Sequence, residues 1–158
     1  MNSRVFLAIF FAAAVFDLPL CRADEIVPTS HIQPLVEWVE TRTNLMLLPR
    51  PHIFVSDEAL ANLTRGSSSE KGRDRIAAYH DGVIVVSAKY WQPGDIADQS
   101  VLVHELVHYA QEVGEHKAYA CPSQREAEAY RLQNAYLVEQ GERPMLDSGE
   151  LERLNQCD

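Results

Sequence analysis

The sequence predicts an α+β fold: a small three-stranded sheet packed on an N-terminal helix and on a later helix that carries His104 and His108, followed by a glutamate-bearing helix. Three observations lead to this. Apolar residues recur at helical spacing after Ser30. Asp81-Gly82 lies between two runs of strand-forming residues, the strongest short hairpin signal. The two long helical runs, SVLVHELVHYAQE and REAEAYRLQNAYLVE, then follow the strands instead of alternating with them, as in an α+β layout.

Taken in order, Ile32, Leu35, Val36, Val39 and Met46 give one face of a first helix. Ser30 and Gln33 are placed as its capping box, Pro34 is tolerable in the first turn, and the helix ends by Pro49. Pro51 to Ser56 is short and rich in strand formers. Asp57 to Leu63 reads as a brief helix capped by Ser56 or Asp57. Arg65 to Asp74, with Gly66, three serines and Gly72, is a loop by composition. Ile76 to His80 and Val83 to Ala88 form the hairpin arms. The continuously apolar Val83-Ile84-Val85-Val86 suits a central strand covered on both faces. After the Pro93-Gly94-Asp95 turn, Asp98 or Ser100 caps a helix running to about Val113 with Gly114 as its stop, and a last helix spans about Ser123 to Glu139.

The chain ends add context. One domain is expected from 158 residues, and 46% hydrophobic content supports a core. Met1 to Leu20 carries one Arg4 and an apolar run from Val5 to Phe16, and Cys21-Arg22-Ala23 is a small-x-small site, so residues 1–23 read as a signal peptide cleaved after Ala23. The run is too short to span a bilayer, which needs about 20 apolar residues. The expected domain is therefore 24–158, secreted or periplasmic, with no membrane span in the mature chain and no pro-segment between Asp24 and the first helix. Removing the leader takes Arg4, Arg22 and Asp17, leaving 12 basic and 22 acidic residues, a net charge of −10. Such a chain is a poor partner for nucleic acid or anionic membranes. Of three cysteines, Cys121 and Cys157 remain, and in an oxidising compartment they are expected to be bridged within a monomer.

The chemistry is concentrated in His104-Glu105-Leu106-Val107-His108. Residues four apart stand one above the other on a helix, so both imidazoles can address one ion. Glu105 is rotated by about 100° from His104, beside such an ion and not bonded to it. Neutral imidazole suits zinc, which with three protein ligands lowers the pKa of a water to about 7, and a neighbouring carboxylate then serves as general base. A third donor must lie downstream, and Glu126 and Glu128 are both on offer. Two residues apart, they point to nearly opposite sides of a helix, so only one can ligate, and local geometry does not choose.

HELVH followed by a helix-borne glutamate resembles the gluzincin branch of the zincin-like metallopeptidases, including the small secreted members without a characterised function. The resemblance covers His104 to about Tyr136 and the coarse order of strands before it. In that group the third ligand is the first residue of a Glu-x-x-small pattern, often followed by an acidic or amide residue that orients a ligating histidine. Glu126-Ala127-Glu128-Ala129 fits with Glu126 as ligand, and Tyr130 stands where the orienting residue falls. Seventeen residues separate His108 from Glu126 and nineteen separate it from Glu128, and the spacing of thermolysin is closer to the latter. Glu126 is taken as the ligand on the pattern. The metzincin branch fits less well, because Gly114 and His116 follow His108 by six and eight residues, not three and six.

What the resemblance implies is a zincin-like fold and a secreted Zn(2+)-dependent metallopeptidase, with His104, His108 and Glu126 on the metal and Glu105 as base acting on a peptide or protein substrate. Candidates for sharing the oxyanion charge are His116, Tyr119, Tyr130 and His80, and the hairpin arm Ile76 to His80 could pair with extended substrate. The alternative is a catalytically weak or inactive zincin-fold module that binds metal or a partner, and a third reading is a disulfide-tied domain with no metal.

Overall fold

The computed structural model describes residues 25–64, 76–114 and 118–157. The expected leader at 1–23, the loop from Arg65 to Asp74 and His116 lie outside them. Within them the chain is α+β. Strand β1 (Glu25–Ile26) leads into helix α1 (Thr29–Thr43), then β2 (His52–Val55), α2 (Asp57–Leu63), and the hairpin of β3 (Ala77–His80) and β4 (Val83–Val86). Helices α3 (Ile96–Val113), α4 (Pro122–Glu139) and α5 (Ser148–Leu154) complete it.

The three expected strands form one mixed sheet, extended by the two-residue β1 in the order β1-β2-β4-β3. β4 pairs in parallel with β2, with Ile53 opposite Ile84, and antiparallel with β3, with Tyr79 opposite Ile84. The hairpin turns on Asp81 and Gly82 at φ of 45° and 80°, the doubly left-handed turn that Asp-Gly favours. Alternation along β4 divides the two faces. Ile84 and Val86 point into the main core with Leu35, Val36 and Val39 of α1 and Leu102, Val103, Leu106 and Val107 of α3. Val85 joins Leu60 of α2 and Ala78 on the other face. The predicted central, twice-covered strand is therefore β4, between β2 and β3.

Helix α3 is the element around which the rest is packed: it lies against α1, β3 and β4 and along α4. Leu102, Val103, Leu106 and Val107 have no exposed surface, and wholly burying one such side chain contributes about 1.5–3 kcal/mol.

Several local expectations need correction. The first helix starts after Pro28 without a side-chain cap, and Gln33 donates to Glu37 one turn on at 2.7 Å, so the Ser30–Gln33 box does not form. The cap of α3 is Asp95, which accepts the Asp98 backbone N–H at 3.0 Å. Asp98 and Ser100 are inside the helix and buried: Asp98 accepts the N–H of Gln92 at 2.7 Å and Ser100 donates to the Ala97 carbonyl at 2.6 Å. A cap on the preceding turn wins because it leaves Asp98 free to pin the incoming loop. Ser56 caps α2 as expected, accepting from Ala59 at 3.2 Å. Gly114 ends α3, but at φ −88°, so it is not a left-handed stop. Helix α5 was not anticipated. Its Asp147 and Glu150 form a complete capping box.

A disulfide joins Cys121 to Cys157 across 36 residues, tying the C-terminal segment to the residue that precedes α4. Among the described residues no helix is long and apolar enough to cross a membrane.

Candidate metal centre

The site forms where α3 meets α4. His104 and His108, one turn apart on α3, bring their Nε2 atoms within 3.1 Å of each other. Glu126, in the second turn of α4, approaches both: its carboxylate lies 3.4 Å from His104 Nε2 and 3.3 Å from His108 Nε2. One donor atom from each residue fits within a 4.8 Å spread. The two histidine side chains keep 10% and 12% of their surface exposed, while Glu126 keeps 47%. The cluster is thus walled by protein behind the imidazoles and reachable from solvent on the carboxylate side.

Glu126, Tyr130 and Gln133 fall at i, i+4 and i+7 of α4, one stripe of the helix. All three address His104: the carboxylate meets Nε2, the Tyr130 ring stands edge-on to the imidazole with centroids 4.4 Å apart, and Gln133 Oε1 lies 3.1 Å from Nδ1. His108 is served from its own helix, where Gln111 Oε1 is 2.9 Å from its Nδ1. These two glutamines were missed in the sequence. At position 130, where the pattern places an orienting residue, the ring edge of Tyr130 meets His104, and the amide oxygen beside Nδ1 comes from Gln133, one turn further along the same face. The only local signal was its placement seven residues after Glu126.

Glu128 is turned elsewhere. It accepts the Tyr119 hydroxyl and the Gln111 amide, at 3.2 Å for the latter, and pairs with Arg131. Of the oxyanion candidates, Tyr130 touches a histidine of the cluster, Tyr119 is engaged with Glu128, and His80 lies at the end of β3 with its Nε2 3.4 Å from Asp81. Glu105 is half-buried, and its negative charge is among the influences on His108.

The electrostatics follow from this packing. Burial works against a charge on Glu126, but hydrogen bonds from His104 and His108 outweigh it and hold the carboxyl well below its usual range. Burial would lower the pKa of His108. Its hydrogen bond to Glu126, the charges of Glu126 and Glu105, and the bond to Gln111 together raise it instead. The cluster is therefore a place where positive charge is favoured between two rings and a carboxylate.

Fold and cluster together define an α+β domain whose two long helices meet at a pair of histidines and one carboxylate. The chain belongs to the family described as Domain of unknown function (DUF6647), whose model matches residues 25–157. No curated protein and no solved structure matches.

Proposed function

We propose that this protein is an exported zinc-dependent metallopeptidase of zincin-like fold, with His104, His108 and Glu126 as metal ligands and Glu105 as general base. The observation that carries this is the 3.1 Å approach of two imidazole Nε2 atoms beside a carboxylate. The donor set, two imidazole nitrogens and a carboxylate oxygen, suits zinc. The two imidazole nitrogens stand 3.1 Å apart, near the edge of a tetrahedron, about 3.3 Å for ligand distances of about 2.0–2.1 Å, and one carboxylate oxygen of Glu126 lies beside each of them, Oε2 3.4 Å from His104 and Oε1 3.3 Å from His108. Zinc bound there would polarise a substrate carbonyl and acidify a water, with the exposed Glu126 side as the approach.

The chain's own groups supply the proton transfers and the positioning. Glu105 takes the proton of the attacking water and delivers it to the leaving amine. Its place on α3 fits: Glu105 and Glu112 are seven residues apart and share a helix face, and Glu112 accepts the hydroxyl of Tyr79 on β3. That face therefore looks toward the outer strand of the sheet. An extended peptide pairing with β3, the outer strand among the described residues, would pass over Glu105, using main-chain hydrogen bonds for binding. Export is supported by the leader-like segment at 1–23 and by the disulfide.

The test combines metal analysis with cleavage of unfolded casein by the purified protein. Zinc should be retained by Glu105→Gln and lost from His104→Ala. Chelator-sensitive cleavage should fall in Glu105→Gln by roughly 100- to 10,000-fold, the range of a general base. Cleavage unchanged by that substitution removes the mechanism, and equal zinc in His104→Ala removes the metal. Zinc retained with no cleavage in the unsubstituted protein leaves a metal-binding module.

A further inference from the structure

Each imidazole of the cluster is backed by an amide whose orientation is fixed by its other partners. The Ser100 hydroxyl has one proton, which it gives to the Ala97 carbonyl at 2.6 Å, so toward Gln133 it can only accept. The Gln133 atom facing it at 3.1 Å is therefore the NH2, which also lies 3.3 Å from Met145 Sδ. The oxygen of that amide is left facing His104 Nδ1. Gln111 is fixed independently: its NH2 faces two pure acceptors, the Arg125 carbonyl at 2.9 Å and Glu128 at 3.2 Å. Its oxygen faces His108 Nδ1 and the Arg125 Nε–H at 3.3 Å. Two networks built on different side chains impose the same demand: both rings carry a proton on Nδ1, so that in the neutral ring Nε2 is the atom left with a lone pair for a cation.

We infer that Gln133 and Gln111 are positioning residues that hold His104 and His108 as Nδ1–H tautomers aimed at one cation, and that their being amides and not carboxylates limits how tightly that cation is held. This rests on the metal reading above. A carboxylate behind a ligating imidazole raises its basicity, whereas an amide fixes the ring and adds no charge. With Glu126 as the one anion among the three ligands, a divalent cation keeps a net positive charge in the site, which favours a strong electrophile over tight retention. The two amides are not equal. Gln133 is 2% exposed and, among the described residues, its oxygen serves His104 alone, while the half-buried Gln111 divides its oxygen between His108 and Arg125. Gln133 is the dominant one.

The full chain is loaded with zinc and titrated against a competing chelator. Gln133→Leu should lower zinc affinity by roughly 10- to 100-fold, and Gln111→Leu should lower it by less. Gln133→Glu should raise it, because a carboxylate behind a ligating imidazole increases the basicity of the ring. In the zinc-loaded protein the His104 Nδ1 proton should give a slowly exchanging NMR signal that Gln133→Leu abolishes. A purely structural role for Gln133 predicts losses of stability in both variants with no gain of affinity in the glutamate. If Gln133→Leu does not fold, Gln133→Glu and Gln111→Leu decide the matter. Unchanged zinc affinity in the folded variants, or weaker binding in Gln133→Glu, overturns the inference. A parent chain that takes up no zinc overturns the metal reading itself.

Discussion

Glu126 and Glu128 stand two residues apart on α4 yet serve different partners. The first meets both imidazole Nε2 atoms at 3.3–3.4 Å, and the second accepts from Tyr119 and Gln111 on another side of the helix. Removing the first should empty the site. Glu126→Gln is expected to weaken zinc binding by more than about 100-fold, beyond the cost of losing an orienting partner. Glu128→Gln should keep zinc bound. Chelator competition on the two purified variants checks this, and the opposite ranking would move the third ligand to Glu128.

Gly114 is present for room. A Cβ there would lie 2.5 Å from Leu45 Cδ1 and 2.7 Å from the Ala110 carbonyl oxygen. Leu45 can turn aside, but the carbonyl is backbone at the end of α3. Gly114→Ala should therefore cost about 1–3 kcal/mol in urea unfolding, as overpacking does. An unchanged midpoint would mean that α3 can end without this close approach.

The Cys121–Cys157 bridge closes a loop across 36 residues. In the chain-entropy model it contributes about 3–4 kcal/mol. Replacing both cysteines with serine should lower unfolding stability by that order. Proteolysis should then begin in α5, which has no buried residues of its own. Mass spectrometry of the unreduced protein should find the two cysteines joined, and free thiols there would refute the pairing.

Asp57 gives the acid limb of stability a local cause. The Ser87 hydroxyl, at 2.7 Å, is the main influence holding this exposed carboxyl below its usual value, with help from the Lys89 N–H. A lowered folded pKa means that its contribution is complete above the unfolded value of about 3.9 and disappears as pH falls through the folded value. The gap in urea midpoint between the parent chain and Asp57→Asn should be constant above about pH 5 and shrink below about pH 4. An equal gap at pH 6 and pH 3 would show that the charge of Asp57 is not what matters.

Elements written in local chemistry were legible in the sequence. The Asp81-Gly82 hairpin, the Ser56 cap and the turn-apart histidines each depend on residues a few positions away. The choice of Glu126 came from a pattern, and the cluster brings that residue to both histidines. What the sequence did not disclose depends on contacts across elements. Gln133 reaches His104 only because α4 lies along α3, and no window of α4 alone distinguishes it from a solvated amide. Asp98 and Asp95 are equally good caps on paper, and the loop N–H of Gln92 decides between them by drawing Asp98 inward. The Asp147–Glu150 box was present in the sequence, but the short α5 has no apolar stripe to draw attention to it.

Helix α4 also carries a fastening at its other end. Glu139, thirteen residues beyond Glu126, accepts the indole N–H of Trp38 at 2.8 Å and is clasped by Arg42, both on α1. At 1.5 Å per residue that clasp lies about 20 Å along the helix from Glu126. The reach of Glu126 toward the histidines is consequently calibrated from the opposite end of a stiff rod. Loss-of-grip lesions should turn up in a genetic screen at Trp38 and Glu139, positions that a search confined to the neighbourhood of the imidazoles would never sample.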